Sequence, residues 1–233
     1  MDTLAAWIES PDPQTFPYDD VLAAFRAVGK HFVAPELLAL LDRARATAPA
    51  DPQLARFLDT LLDKFDGRFD NPSYLAIDQL ALPTTPEGRD RLFVALLADL
   101  IRFERAPAAH LELRPEPRTA DKRCHHALRA MQPALDRLGM TGDVLGQLTP
   151  AERRRLALTL VPVSTVHDEY LFIRVLQAYE STFALIAAQL AAAVAAIDAR
   201  DASTAAAEIA AAAAVFRESK PLFSLIGTLQ PEA

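Results

Sequence analysis

Apolar residues recur along most of this chain at intervals of three and four, the period of a helix with one buried face. Tyr18 to Val33 puts Val21, Phe25 and Val28 on one side. Pro35 to Ala46 does the same with Leu37, Leu38, Leu40 and Leu41. Asp51 to Phe65 carries a stripe of Leu54, Phe57, Leu58, Leu61 and Leu62, with Asp51 as N-cap and Pro52 at the first helical position. Thr85 caps a further helix to Arg105, lined by Leu92, Leu96, Leu97 and Leu100. Ala120 to Leu138 is helical. Thr149-Pro150-Ala151-Glu152 is a helix start with the elements of a capping box, running to Leu160. His167 to Ile197 reads as one long helix or two stacked ones, with Leu171, Val175, Ala178, Leu185 and Ile186 near a 3.6-residue period. An Ala-rich helix follows from Asp201 to Ser219, and a last helical start after Pro221.

Between these segments the punctuation is mostly proline. A short segment, AAWIES, ends before Pro11, and Gly67 to Thr85 is irregular. Residues 106–117 hold three prolines and make the best boundary in the chain. Strand-like alternation is nearly absent. The expectation is an all-α, multi-helix bundle, with an N-terminal helical region over 1–118 and a second helical unit over 119–233.

Composition narrows the classes. The chain has 233 residues, 51% of them hydrophobic, enough to bury a core without staples. Its formal net charge is −7, from 24 basic and 31 acidic residues, which argues against nucleic-acid binding. The single cysteine, Cys124, permits no internal disulfide and suits a reducing cytoplasm. The first residues carry acids and no basic stretch, so they are not a secretory signal. The apolar run from Phe183 to Ile197 is Ala-rich, contains Gln189, and falls short of the roughly 20 strongly apolar residues of a span. A cytoplasmic protein that neither enters a membrane nor binds nucleic acid is expected.

No GxGxxG, P-loop or GxSxG motif is present. Cys124-His125-His126 lies on one helix, where adjacent side chains point about 100 degrees apart, so it reads as surface rather than a zinc site. Glu152-Arg153-Arg154-Arg155 reads as a solvated helix face, with a phosphate or partner patch as the weaker alternative. The third constellation is HDEYLFIRVLQAYESTF, His167 to Phe183. From spacing alone it is an acidic helix start, its carboxylates at the positive end of the dipole.

That segment resembles the active-site helix of the heme-dependent tryptophan 2,3-dioxygenase superfamily. His167, Asp168, Glu169, Leu171, Phe172, Ile173, Gln177, Tyr179, Glu180 and Phe183 stand in the family register. The downstream stretch VFRESKPLFSLIGTLQPEA is similar to a second family segment. The resemblance covers about residues 161–233. It implies a bundle of the tryptophan 2,3-dioxygenase type with an N-terminal helical extension, residues 119–233 being the N-terminal portion of the heme-dioxygenase-like domain. It implies a heme b, a small aromatic substrate such as tryptophan or another indole, O₂ as co-substrate, and homo-oligomeric assembly. Phe172, Val175 and Leu176 would line the distal pocket, and His167 and Asp168 would organise the helix start at the heme edge.

Two departures bear on this. The family has a histidine four residues after the pocket Phe, where it hydrogen-bonds the indole N–H. Here that position is Leu176, which accepts no hydrogen bond. The family's carboxylate-clamping Arg and axial His fall beyond Ala233, and none of His31, His110, His125, His126 or His167 occupies the axial position. The resemblance therefore implies either a fragment of a longer protein or a shortened homologue. The sequence leaves three readings: a heme-dependent dioxygenase of tryptophan or a related aromatic, a non-catalytic helical binding protein on the same scaffold, and an unrelated helical bundle whose motif matches by chance.

Overall fold

A computed structural model describes residues 2–231. Among them the chain is all-helical. The only extended pairing is an isolated parallel bridge between Glu112 and Val166. The helices are α1 (Asp2–Glu9), α2 (Tyr18–Val28), α3 (Pro35–Thr47), α4 (Pro52–Leu62), α5 (Asn71–Tyr74), α6 (Ile77–Leu80), α7 (Pro86–Arg105), α8 (Pro117–Leu138), α9 (Pro150–Leu158), α10 (His167–Asp198), α11 (Ala202–Glu218) and α12 (Lys220–Ile226).

The local start signals act as expected. Asp51 accepts from the Leu54 amide and Thr85 from Gly88; Asp201, which the sequence pattern did not single out as a cap, caps α11 through the Thr204 amide. Thr149 and Glu152 form a reciprocal capping box. The irregular stretch 67–85 contains only the two single turns α5 and α6. The segment from His167 onward is one continuous helix. Two boundaries move. α8 begins at Pro117, inside the stretch expected to be loop, because proline suits the first helical turn. The helix expected over 18–33 stops at Val28.

Gly29 stops it. Its φ is +83°, and a Cβ there would meet the Ser164 Cα at 2.5 Å. The backbone makes this close approach in order to pair: the Lys30 and His31 amides donate to the carbonyls of Pro162 and Val163. Only glycine allows both the conformation and the contact.

Side chains group into two main cores. Helices α1 to α4 bury Leu4, Trp7, Phe25, Leu41, Leu54 and Phe57, with Leu158 from the end of α9 and Val161 just after it. The larger core joins α7, α8, α10 and α12 through residues such as Leu96, Ala127, Met131, Val175 and Leu222. Leu75, Leu160 and Ile173 form a small cluster of their own. α7 lies on the N-terminal side of the proline-rich stretch, yet it packs on α8, α9 and α10. Its burial extends beyond the leucine face to Arg89, Asp90, Asp99 and Glu104.

α10 is long and apolar enough, by length and composition, to cross a membrane, with a mean hydropathy of 1.6 in its most apolar window. A core helix passes the same test. Its first half carries the buried Asp168 and Arg174. Its second half pairs with α11, and the two helices leave Phe183, Leu190, Val194, Ile197, Ile209 and Phe216 exposed.

Candidate functional site

The first turns of α10 carry the residues to which the sequence points. The chain reaches them through residues 159–166, which are pinned on both sides. Lys30 and His31 bond this segment from one flank, and Glu112 pairs with Thr165 and His167 from the other. Glu169 then folds back from α10 and accepts the backbone amides of Val163 and Ser164 and the Ser164 hydroxyl. A carboxylate in the first turn of a helix thus organises the loop that precedes it.

A cleft of about 370 Å³ opens beside this turn. Its apolar walls are Phe172, Tyr74, Val163, Val166 and Leu229, and its polar rim is Asp168, Glu169, Ser164 and Gln230. The rings of Tyr74 and Phe172 lie 6.3 Å apart at a 39° tilt. The Tyr74 hydroxyl donates to Glu169 over 3.4 Å. Burial, then the negative charge of Glu169, pushes the Tyr74 phenol well above its usual range, so it stays protonated.

Asp168 is 2% exposed. It accepts the Gln230 amide at 2.6 Å and pairs with Arg123 at 2.7 Å. Burial alone would raise its pKa. The His167 hydrogen bond, the Gln230 amide and Arg123 outweigh that effect and hold the carboxyl below its ordinary value.

The five residues expected to form a pocket separate in the fold. Phe172 and Asp168 meet at the cleft. His167 points elsewhere. It is 1% exposed, its ring lies 4.7 Å from Phe103, and its nitrogens face Glu104 at 3.8 Å and Asp168 at 3.6 Å. Val175 is fully buried in the large core. Leu176 packs half-buried between that core and the Leu75–Leu160–Ile173 cluster. The sequence pattern missed Tyr74, Val163, Ser164 and Val166, which come from separate segments, whereas Leu229 and Gln230 lie in the second family-like stretch without having been assigned to a pocket. Glu169 stood in the family-like motif and was legible there.

A second polar cluster lies beyond the cleft on the same helix. Arg174, 1% exposed, pairs with Asp99 and donates to Thr159, Gln177 and the Leu156 carbonyl. Tyr170 donates to Asp99 at 2.8 Å and stacks on Phe103 with centroids 3.6 Å apart. Every donor of Arg174 is taken within the protein, so this cluster holds helices together.

A heme iron needs an axial donor. No histidine or cysteine lines the cleft, and the buried His167 is enclosed by Glu104, Arg123, Asp168 and Phe103. Among the described residues, no three His, Cys, Asp or Glu side chains are grouped to hold a metal ion. The residues of this cleft do not by themselves fit a heme iron. What the cleft can do is enclose a flat apolar group between Phe172 and Tyr74, beside the negative charge of Asp168 and Glu169. Comparison with known proteins finds no family model, no curated protein and no solved structure that matches this chain.

Proposed function

We propose that the cleft at the start of α10 binds a small aromatic molecule, an indole or an aromatic amino acid. One observation carries the reading: Phe172 and Tyr74, brought from distant parts of the chain, face the same apolar cleft of about 370 Å³. An aromatic ligand between such walls gains about 0.5–1.5 kcal/mol per ring pair beyond area burial. Asp168 and Glu169 give the rim a negative charge that favours a ligand carrying an ammonium group.

The α10 resemblance extends this proposal to a heme-dependent oxygenase of the tryptophan 2,3-dioxygenase type, with this bundle as its substrate-binding portion. The enclosed position of His167 favours the other form, a binding module on the same helical scaffold. Titration calorimetry with L-tryptophan and with indole tests the shared part. Saturable binding of either, weakened at least about tenfold by Phe172→Ala, is expected. No saturable binding of either molecule overturns the proposal. An absorption spectrum with added hemin separates the two forms: a Soret band that shifts with the aromatic ligand supports the oxygenase, and free-hemin absorbance alone supports the binding module.

A further inference from the structure

We propose that a second cavity, between α4, α6 and α9, is a binding site for a small phosphate monoester. This site shares no residue with the cleft at α10.

The cavity has a volume of about 500 Å³, larger than the aromatic cleft. Its charged wall residues are Arg56 from α4 and Arg154 and Arg155 from α9, and no carboxylate lines it. Among the described residues, none of these three guanidinium groups has an acidic partner within 4.0 Å. Arg154 instead lies over the Tyr18 ring, 5.2 Å from its centroid. The nearby Asp51 is occupied as the N-cap of α4. In a chain of net charge −7, three arginines without acidic partners along one cavity make a local surplus that an anion neutralises. The amide of Glu152 in the first turn of α9 is already taken by Thr149, so the attraction comes from the arginine side chains.

Gln79 narrows the ligand. It is 7% exposed, lines the cavity, and its Oε1 is buried with no hydrogen-bond partner. A native protein rarely leaves such an acceptor orphaned. The turn that carries it is bracketed by Ala76 and Ala81, both in the left-handed region at φ 50° and 49°. Strained backbone of this kind concentrates at binding sites. A buried acceptor beside three cations calls for a ligand that is anionic yet carries a proton to donate. A monoprotonated phosphate does both: two oxygens meet the arginine forks and, once the Gln79 amide turns toward the cavity, its P–OH donates to Oε1. Sulfate is an acceptor only. The cavity also leaves space beyond the phosphate for a small organic group.

The test is titration calorimetry at pH 6, near the second phosphate pKa of about 6, with inorganic phosphate, ribose 5-phosphate and sulfate at matched ionic strength. Saturable binding of ribose 5-phosphate, tighter than phosphate and at least about tenfold tighter than sulfate, is expected. The Arg154→Gln/Arg155→Gln double variant and Arg56→Gln, all changes at exposed or half-exposed positions, should each reduce affinity about tenfold or more with the melting temperature retained. Gln79→Glu should abolish binding. Absence of saturable phosphate binding, or equal affinity for sulfate, overturns the proposal. So does unchanged affinity in the correctly folded Arg154→Gln/Arg155→Gln variant.

Discussion

Arg123 on α8 and Asp168 in the first turn of α10 form an ion pair of 2.7 Å that is entirely buried, with side chains 0% and 2% exposed. Arg123 also pairs with Glu104 of α7 and donates to Thr228 after α12. One guanidinium therefore ties four elements of the larger core together. It also sets the position of Asp168 at the rim of the aromatic cleft.

Removing that cation leaves two buried carboxylates without their shared counter-charge. Burial already raises the Glu104 pKa, and Arg123 is the main opposing influence. Arg123→Met should destabilise the fold by about 3–5 kcal/mol, the usual effect of breaking a buried pair from one side. Urea denaturation measures it. Adding Asp168→Leu to the same chain should restore part of the loss, and a purely additive double variant would disprove the coupling.

Gln177 is the second test of a buried network. It is 0% exposed, and its amide donates to the Leu75 and Thr159 carbonyls at 2.9 and 2.8 Å. Its Oε1 accepts from Arg174. Gln177→Leu orphans these partners at about 1–3 kcal/mol each. Hydrogen exchange should show faster opening around residues 75 and 159 in the variant.

Gly29→Ala should lower the melting temperature clearly more than Gly67→Ala. Both glycines have positive φ, so both substitutions carry left-handed strain of about 1–2 kcal/mol. At Gly67 a Cβ meets nothing within 4 Å, whereas at Gly29 it collides with the Ser164 backbone. Equal shifts would refute the close approach of these two segments.

Acid should weaken the α3–α4 region in a defined window. The Asp66 carboxyl is held down to about 2, chiefly by its hydrogen bond from Arg45, against a smaller effect of burial, with help from Arg68. Its folded pKa lies below the ordinary 3.8, so the stabilisation is fully present above 3.8 and disappears as pH falls through about 2. Arg68 is 56% exposed and Arg45 28%, so solvent screening keeps the contribution below about 1 kcal/mol. The melting-temperature difference between the native chain and Asp66→Asn should shrink from pH 5 to pH 2. A constant difference would contradict the assignment.

The sequence alone determined which segments are helical and where most of them begin. Those signals are local: an apolar period sets a helix face, and Asp51, Thr85 and Thr149 each cap an amide three residues away. It also marked Asp168, Glu169 and Phe172 as a constellation of interest.

Tertiary structure decided what those helices meet. Gly29 ends α2 because of a segment more than a hundred residues later, and no local pattern encodes that. Tyr74 reaches Phe172, and Gln177 reaches the Leu75 carbonyl, across comparable separations. Arg89, Arg123 and Arg174 read as ordinary charged positions in the sequence, yet they are the three largest fully buried side chains. A buried charge is tolerated only where its counter-charge arrives by packing, and packing partners distant in sequence leave no spacing to read. The same reason turned His167 away from the cleft that its neighbour Asp168 borders.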